Sequence, residues 1–155
     1  MTLMLVHRRA THEDVRAIVT LLMEDTLSQQ REHLGATLDQ RYSDAFDRID
    51  ADPFQYLMVV ERDKEIVGTC HLTLIPSLTF LGSTRMNIEA VHVAGRHTSK
   101  GIGMWMMQKA ADWGYSKGAS IMQLTTNKKR KRAKVFYERL GFEATHEGMK
   151  LYARK

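Results

Sequence analysis

The segment from Val91 to Tyr115 constrains this chain more than any other. Val91-His92-Val93 reads as the end of a strand, Lys100-Gly101-Ile102-Gly103 as a glycine-rich turn, and Met104 to Tyr115 as an apolar helical run. A strand, a glycine turn and a helix in that order aim unpaired backbone N–H groups and the positive end of a helix dipole at one spot. That spot suits a phosphate. Gly101 and Gly103 let the backbone approach an anion without a Cβ in the way, and Lys100 adds a mobile positive charge. A pyrophosphate fits, with Lys100, Gly101, Ile102, Gly103 and Met104 at the turn and helix start as its candidate contacts, Thr98 and Ser99 just before them, and Val91, His92 and Val93 as the strand leading in.

Three phosphate loops compete for this turn. A Walker-type loop needs Gly-x-x-x-x-Gly-Lys-Ser/Thr, and a dinucleotide fingerprint needs a third glycine and a later acidic residue. Neither pattern is present. What remains is x-x-Gly-x-Gly after a Val-x-Val strand, followed by Asn127 and then Phe136-Tyr137-Glu138-Arg139-Leu140-Gly141-Phe142. This ordered set resembles the GNAT superfamily of N-acetyltransferases, whose coenzyme A loop reads Arg/Gln-x-x-Gly-x-Gly/Ala and whose later helix carries Phe-Tyr-Glu-x-Leu-Gly-Phe. Arg9-Ala10-Thr11-His12-Glu13-Asp14 is similar to the family's entry into its first helix, and Asn87-Ile88-Glu89 to its central strand. One position departs: Thr98 stands where the family usually has Arg or Gln. The hydroxyls of Thr98 and Ser99, with Arg96 or Lys100, could replace that grip.

The resemblance implies a mixed α/β GNAT acyltransferase fold, with a mostly antiparallel sheet of six to seven strands flanked by about four helices. It implies acetyl-CoA as co-substrate, held by the loop and by Asn127 and Arg130. Acetyl transfer to an amine needs a stabilised carbonyl oxygen, a deprotonated amine and a reprotonated thiolate. Backbone N–H groups near Val91 could serve the first need if the strand splays from its neighbour. Tyr137 is the candidate acid, because a phenol titrates at about 10, close to an alkyl thiol; packing beside Phe136 is its alternative role. Glu89 is the candidate base, directly or through water, in a placement similar to that in glucosamine-phosphate N-acetyltransferases. It could instead pair with Arg85 or a lysine. Cys70, followed by His71 on the opposite side of a strand, is a poor nucleophile candidate. The seven histidines show no ligand spacing, so no metal is expected.

Around this site the chain reads as one domain over residues 1–155, large enough to bury a core with 43% hydrophobic residues. Leu3 to Arg8 suits a first strand. Thr11 and Asp14 suit a capping box opening a helix near His12, with Val15, Ile18 and Leu22 as its buried stripe. The polar stretch from Thr26 to Asp52 holds one or two short helices, which in the family form one wall of the acceptor site. Tyr56–Val60 and Glu65–Ile75 read as a hairpin, and Ser77–Ser83 as a loop with Leu78, Phe80 and Leu81 as a lid, a dimer contact or a self-packed loop. Ile121–Thr126 is a strand, Ala133–Leu140 the last helix, and Phe142–Ala153 a final pair of strands.

One cysteine rules out an internal disulfide and suggests a reducing compartment. The amino terminus is too short in its apolar run for a signal peptide, and no run spans a bilayer. A cytoplasmic protein with no membrane partner is expected, with a homodimer open.

The net charge of +5 suits an anionic ligand without choosing one. Lys128-Lys129-Arg130-Lys131-Arg132 could be a solvated face, a contact for coenzyme or an anionic substrate, or a nucleic-acid contact. It lacks aromatic interleaving, which argues against the last. Thr125-Thr126-Asn127, the basic segment, Ala133, Phe136-Tyr137 and Thr145-His146 are similar in order to aminoalkylphosphonate N-acetyltransferases. That half of the chain mostly serves coenzyme, so the acceptor is read only as a small primary amine. Two other classes stay open: a GNAT-fold module that binds acetyl-CoA without efficient turnover, and a basic nucleic-acid-associated protein.

Overall fold

The computed structural model describes residues 4–154. Leu3, where the sequence reading begins the first strand, lies outside them, as do the two residues before it.

Alternating side chains explain the layering. In β2 (Gln55–Arg62), Tyr56, Met58 and Val60 enter one buried cluster while Leu57 and Val59 enter another on the opposite side. The sheet is therefore covered on both faces. β1 (Leu5–Arg9), β2, β3 (Glu65–Pro76), β4 (Thr84–Val93) and β5 (Ala119–Leu124) follow one another in space as in sequence. The first three pairings are antiparallel and β4–β5 is parallel. The helices α1 (Val15–Met23) and α2 (Gln40–Asp50) pack on one face, and α4 (Ile102–Ser116) with α5 (Lys131–Arg139) on the other. The remaining element, α3 (Thr79–Gly82), is a single turn in which Phe80 and Leu81 both adopt positive φ.

Local chemistry sets the boundaries. Asp14 accepts the Thr11 N–H at 2.7 Å, the returning half of the capping box, but residues His12–Asp14 form a 3-10 turn and α1 starts only at Val15. The Arg8 guanidinium grips both oxygens of Asp14, at 2.6 and 3.1 Å, and also Glu61, which pins the helix entry to β1 and β2. Its hydrogen bonds, outweighing burial, hold the Asp14 carboxyl below its ordinary value. The two-residue hairpin between β2 and β3 places Asp63 and Lys64 at positive φ, the type I′ geometry that matches strand twist.

The mixed, mostly antiparallel sheet is as expected, with two corrections. Among the described residues it has five strands, and the expected pair within Phe142–Ala153 is absent. From Glu143 onward every described residue is exposed, and the one backbone hydrogen bond formed there is Thr145 N–H to the Glu143 carbonyl. The apolar residues of this arm have the spacing of a strand, but no edge of the sheet is paired with it.

Candidate active site

The site begins with a fault in β4. Met86 and Ile88 face the α4 layer, and strict alternation would next place residue 90 there. Instead Val91 and Val93 do so. The register with β3 slips by one residue between Thr69↔His92 and His71↔Glu89, with Ala90 at φ 50°. This is a β-bulge, which bends and twists the strand that carries it.

The bulge coincides with the end of the β4–β5 pairing. The two strands are paired from Thr84↔Ala119 to Ile88↔Leu124, and β4 then runs on through Val93 without β5 beside it. The Ala94 N–H donates to the Val67 carbonyl of β3 at 2.8 Å. Antiparallel alternation then turns the Val91 and Val93 N–H groups away from β3, toward the opening that β5 has left. The stretch from Val91 to Val93 thus has no described strand paired to it on the side away from β3, because β5 ends at Leu124.

Beside this opening stands the glycine turn. Ser99 (φ 62°) and Gly101 (φ 80°) are left-handed, and Gly101 is the residue preceding α4. The first intrahelical bond runs from the Trp105 N–H to the Gly101 carbonyl at 3.0 Å, so the amides of Ile102, Gly103 and Met104 have no helical acceptor. No side chain caps this end and its first turn holds no acidic residue. A Cβ added at Gly103 would stand 3.3 Å from Phe136 and 3.7 Å from Val93, so the helix start, β4 and α5 meet at this glycine.

The side chains divide into those that face the opening and those held elsewhere. Thr98 donates its hydroxyl to the Gly95 carbonyl at 2.9 Å, and Arg96 is paired with Glu65. Thr98, Ser99 and Lys100 are all exposed. His92 binds Glu24 at 3.0 Å, and Glu24 also accepts the Gly95 N–H at 2.8 Å. Arg130 is engaged by Asp25. Asn127 accepts the Lys129 N–H on its side chain at 2.9 Å and the Arg130 N–H on its carbonyl at 2.8 Å, forming the turn that opens α5. The side chains of His92 and Arg130 therefore act as latches, tying the end of α1 to both margins of the opening.

Tyr137 is half-buried in the α4 layer, its ring edge-on to Phe136 and Phe142 at 5.3 and 5.9 Å. Burial pushes its hydroxyl up, against the opposing charge of Arg130, so it holds its proton at neutral pH. Glu89 lies on the opposite face of β4, exposed and directly across from His71. It does not pair with Arg85, which hydrogen-bonds Thr79 at 2.7 Å and lies over the Phe80 ring. His71, unassigned from sequence, bonds Gln55 at 2.7 Å; burial pushes its pKa down while Glu89 pulls it up. Cys70 faces the bulge from β3, fully buried, with its thiol pushed up to about 12 by burial. It is inert at neutral pH.

The profile of the acetyltransferase (GNAT) family matches residues 16–142. The chain belongs to the GNAT family. A GNAT protein is an acetyltransferase that uses acetyl-CoA, and a neighbour solved with that ligand shares this fold. It is a predicted acetyltransferase from Clostridium acetobutylicum, 18% identical, with a TM-score of 0.73 and coverage of 96% of both chains. Glucosamine-6-phosphate N-acetyltransferase from Arabidopsis thaliana is 22% identical with a TM-score of 0.77, covering 96% of this chain and 98% of its own. A transcriptional regulator from Bacillus halodurans C-125 is 37% identical with a TM-score of 0.94, covering 97% of this GNAT chain and 100% of its own. A search of curated proteins by sequence finds no match.

Proposed function

We propose that this GNAT protein moves an acetyl group from acetyl-CoA to the primary amine of a small molecule, by direct attack in a ternary complex. The observation that carries this reading is the opening where β5 ends beside β4, bordered by the Val91 and Val93 amides and by the uncapped start of α4.

In this reading the pyrophosphate lies on the amides of Ile102, Gly103 and Met104, and the pantetheine amide pairs with the outward edge of Val91–Val93. The thioester carbonyl then sits in the opening, where a strand amide freed from any ladder stabilises the developing oxyanion. The amine nitrogen attacks the carbonyl carbon and the C–S bond breaks. The amine's surplus proton leaves toward Glu89, and Tyr137 donates its proton to the departing thiolate before being reprotonated from solvent. Glu89 is exposed, which favours relay through water, with His71 as a neighbour able to pass a proton on. Aminoalkylphosphonates and amino sugar phosphates are amines of suitable size for the acceptor panel.

The test is a panel of primary amines with free-thiol detection, run on the parent and on Tyr137→Phe. The ring and its packing survive in the variant, so acetyl-CoA affinity should stay nearly constant while turnover falls roughly 10- to 1000-fold. Parent-level turnover in the variant would make Tyr137 a packing residue. No thiol release with any amine, despite bound acetyl-CoA, would favour a binding module.

A second reading, association with nucleic acid, is favoured by the exposed residues Lys128, Lys129, Lys131 and Arg132 and by the name of the Bacillus halodurans neighbour. Binding carried by phosphate contacts weakens steeply as salt rises. Duplex DNA titrated between about 50 and 200 mM salt, beside thermal shift with acetyl-CoA, separates the two. We expect stabilisation by acetyl-CoA and no DNA binding at the higher salt; tight DNA binding without an acetyl-CoA shift would reverse the assignment.

A further inference from the structure

We propose that Nδ1 of His71 is the atom that takes the proton from the attacking amine, and that Gln55 and Asp52 are positioning residues that keep this nitrogen free to accept it. This role rests on the acetyl-transfer reading and deepens it: His71 becomes the first acceptor on the proton's path toward Glu89. A directional run of hydrogen bonds, ending on an unpartnered nitrogen, carries the assignment.

The run starts at Asp52, in the turn before β2. Its Oδ1 accepts the Phe54 N–H at 2.9 Å, and its Oδ2 accepts the Gln55 side-chain amide at 3.0 Å. Those bonds, the one from Gln55 above all, hold the carboxyl below its ordinary value, so at neutral pH it is ionised and can only accept. The NH2 end of Gln55 must therefore face Asp52, which leaves Oε1 for the His71 ring, 2.7 Å from Nε2. A carbonyl oxygen also only accepts. Nε2 of His71 therefore carries the proton, and the neutral ring keeps its lone pair on Nδ1. A carboxylate thus sets the tautomer of a ring that it does not touch.

Nδ1 itself has no hydrogen-bond partner among the described residues. It is not sealed from solvent either, since the buried side-chain nitrogens without a partner there are Arg85 Nε and the two of His97. Packing needs no fixed tautomer; proton uptake does.

The ring also stands where a base is required. Cys70 and Leu72 enter the cluster under α4, so His71 faces the α1 and α2 side, in register with Leu57 of β2 and Glu89 of β4. This is the last rung before the bulge at Ala90, beyond which Thr69 pairs with His92. Tyr137 lies on the opposite face, in the α4 layer. The two faces tune their groups in opposite directions: burial pushes His71 below its ordinary value, against the pull of Glu89, and pushes Tyr137 above its own. At neutral pH the imidazole is bare and the phenol protonated, the states that a base and an acid need. Glu89 is the charge that acts on the ring directly, while Asp52 reaches it through Gln55.

The amine nitrogen, once bonded to the carbonyl carbon, carries a surplus proton far more acidic than that of a free ammonium. It passes to Nδ1 and the ring becomes an imidazolium, with Nε2–H still on Gln55 and Glu89 offsetting the charge. The C–S electrons leave on sulfur and Tyr137 protonates the thiolate. His71 then loses its proton to solvent and Tyr137 regains one from it, so the protons balance.

Nitrogen-15 spectra of histidine-labelled protein, with the His71 signals identified by their loss in His71→Asn, should show the Nε2–H tautomer and a pKa below 6.5. Gln55→Leu should mix the tautomers. On an amine that the parent acetylates, His71→Asn should lower kcat about 100-fold, with the KM for acetyl-CoA little changed, and added imidazole should restore turnover to His71→Ala. Glu89→Gln should lower kcat less and move its low-pH limb to lower pH, because the charge that raises the His71 pKa is gone; in His71→Asn that limb should vanish. An Nδ1–H tautomer in the parent, parent-level kcat in His71→Asn, or a limb lost with Glu89 yet kept without His71 would each overturn the assignment and leave acetyl transfer standing. Absence of thiol release with every amine would instead sink the acetyl-transfer reading, and the role of His71 as its base with it.

Discussion

Gly103 is the residue on which the proposed anion site turns, and its surroundings separate two effects of changing it. A methyl group there meets Phe136 at 3.3 Å, a contact a ring can relieve by moving a few tenths of an ångström. A carboxylate there also sets negative charge against the amides of the helix start. Gly103→Asp should therefore weaken acetyl-CoA binding tenfold or more, about 1.4 kcal/mol by calorimetry, while Gly103→Ala changes it far less. Equal losses in the two variants would assign the effect to packing against Phe136. Gly101 differs, because nothing lies within 4 Å of an added Cβ but its φ is 80°. Its cost when substituted is backbone strain, of about 1–2 kcal/mol, rather than lost ligand contact.

Among the elements, α1 is the brace of the opening. Its last turn is followed by Glu24, bound to His92 and the Gly95 N–H on the β4 side, and Asp25, bound to Arg130 at the start of α5. Burial pushes both carboxyls up, yet the hydrogen bonds from His92 and Gly95 on Glu24, and from Ser28 and Arg130 on Asp25, outweigh it and leave each below its ordinary value. A carboxyl depressed on folding contributes stability that is fully present above its unfolded pKa, near 4.5 for Glu24, and lost as pH falls through the folded value. The parent should melt above Glu24→Gln at pH 7, and the gap should narrow as pH drops below about 4.5. A gap that persists undiminished at pH 3 would mean the Glu24 latch acts by shape alone. None of this bracing was legible in sequence, since Glu24 and His92 stand 68 residues apart and Asp25 and Arg130 stand 105 apart. The strand, glycine turn and helix from Val91 to Tyr115 were legible because they are contiguous and each step has a local physical cause. Side-chain roles were less so: Arg130 looked like a coenzyme contact while its partner was distant in the chain. The final strands were misplaced for a related reason. Alternation in Phe142–Ala153 reports a fitness to pair, and pairing needs an edge that the residues themselves do not identify.

At the scale of the molecule, the proposed catalytic opening is a question of chain length. The apolar spacing Met86, Ile88, Val91, Val93 carries one residue more than a regular strand would need, a broken period that the sequence reading passed over. Removing Ala90 restores a single register with β3 from Thr84 to Val93 without moving any apolar side chain to the other face. A chain shortened at that position should melt at a higher temperature, because a left-handed alanine is lost and the ladder is completed, and should have lost acetyl transfer. Calorimetry and thiol release on the deletion variant measure the two together; retained activity would mean that the bulge does not make the opening. On this proposal the site depends on one extra residue rather than on a substituted one, and it requires a sheet stable enough to carry a residue that does not fit.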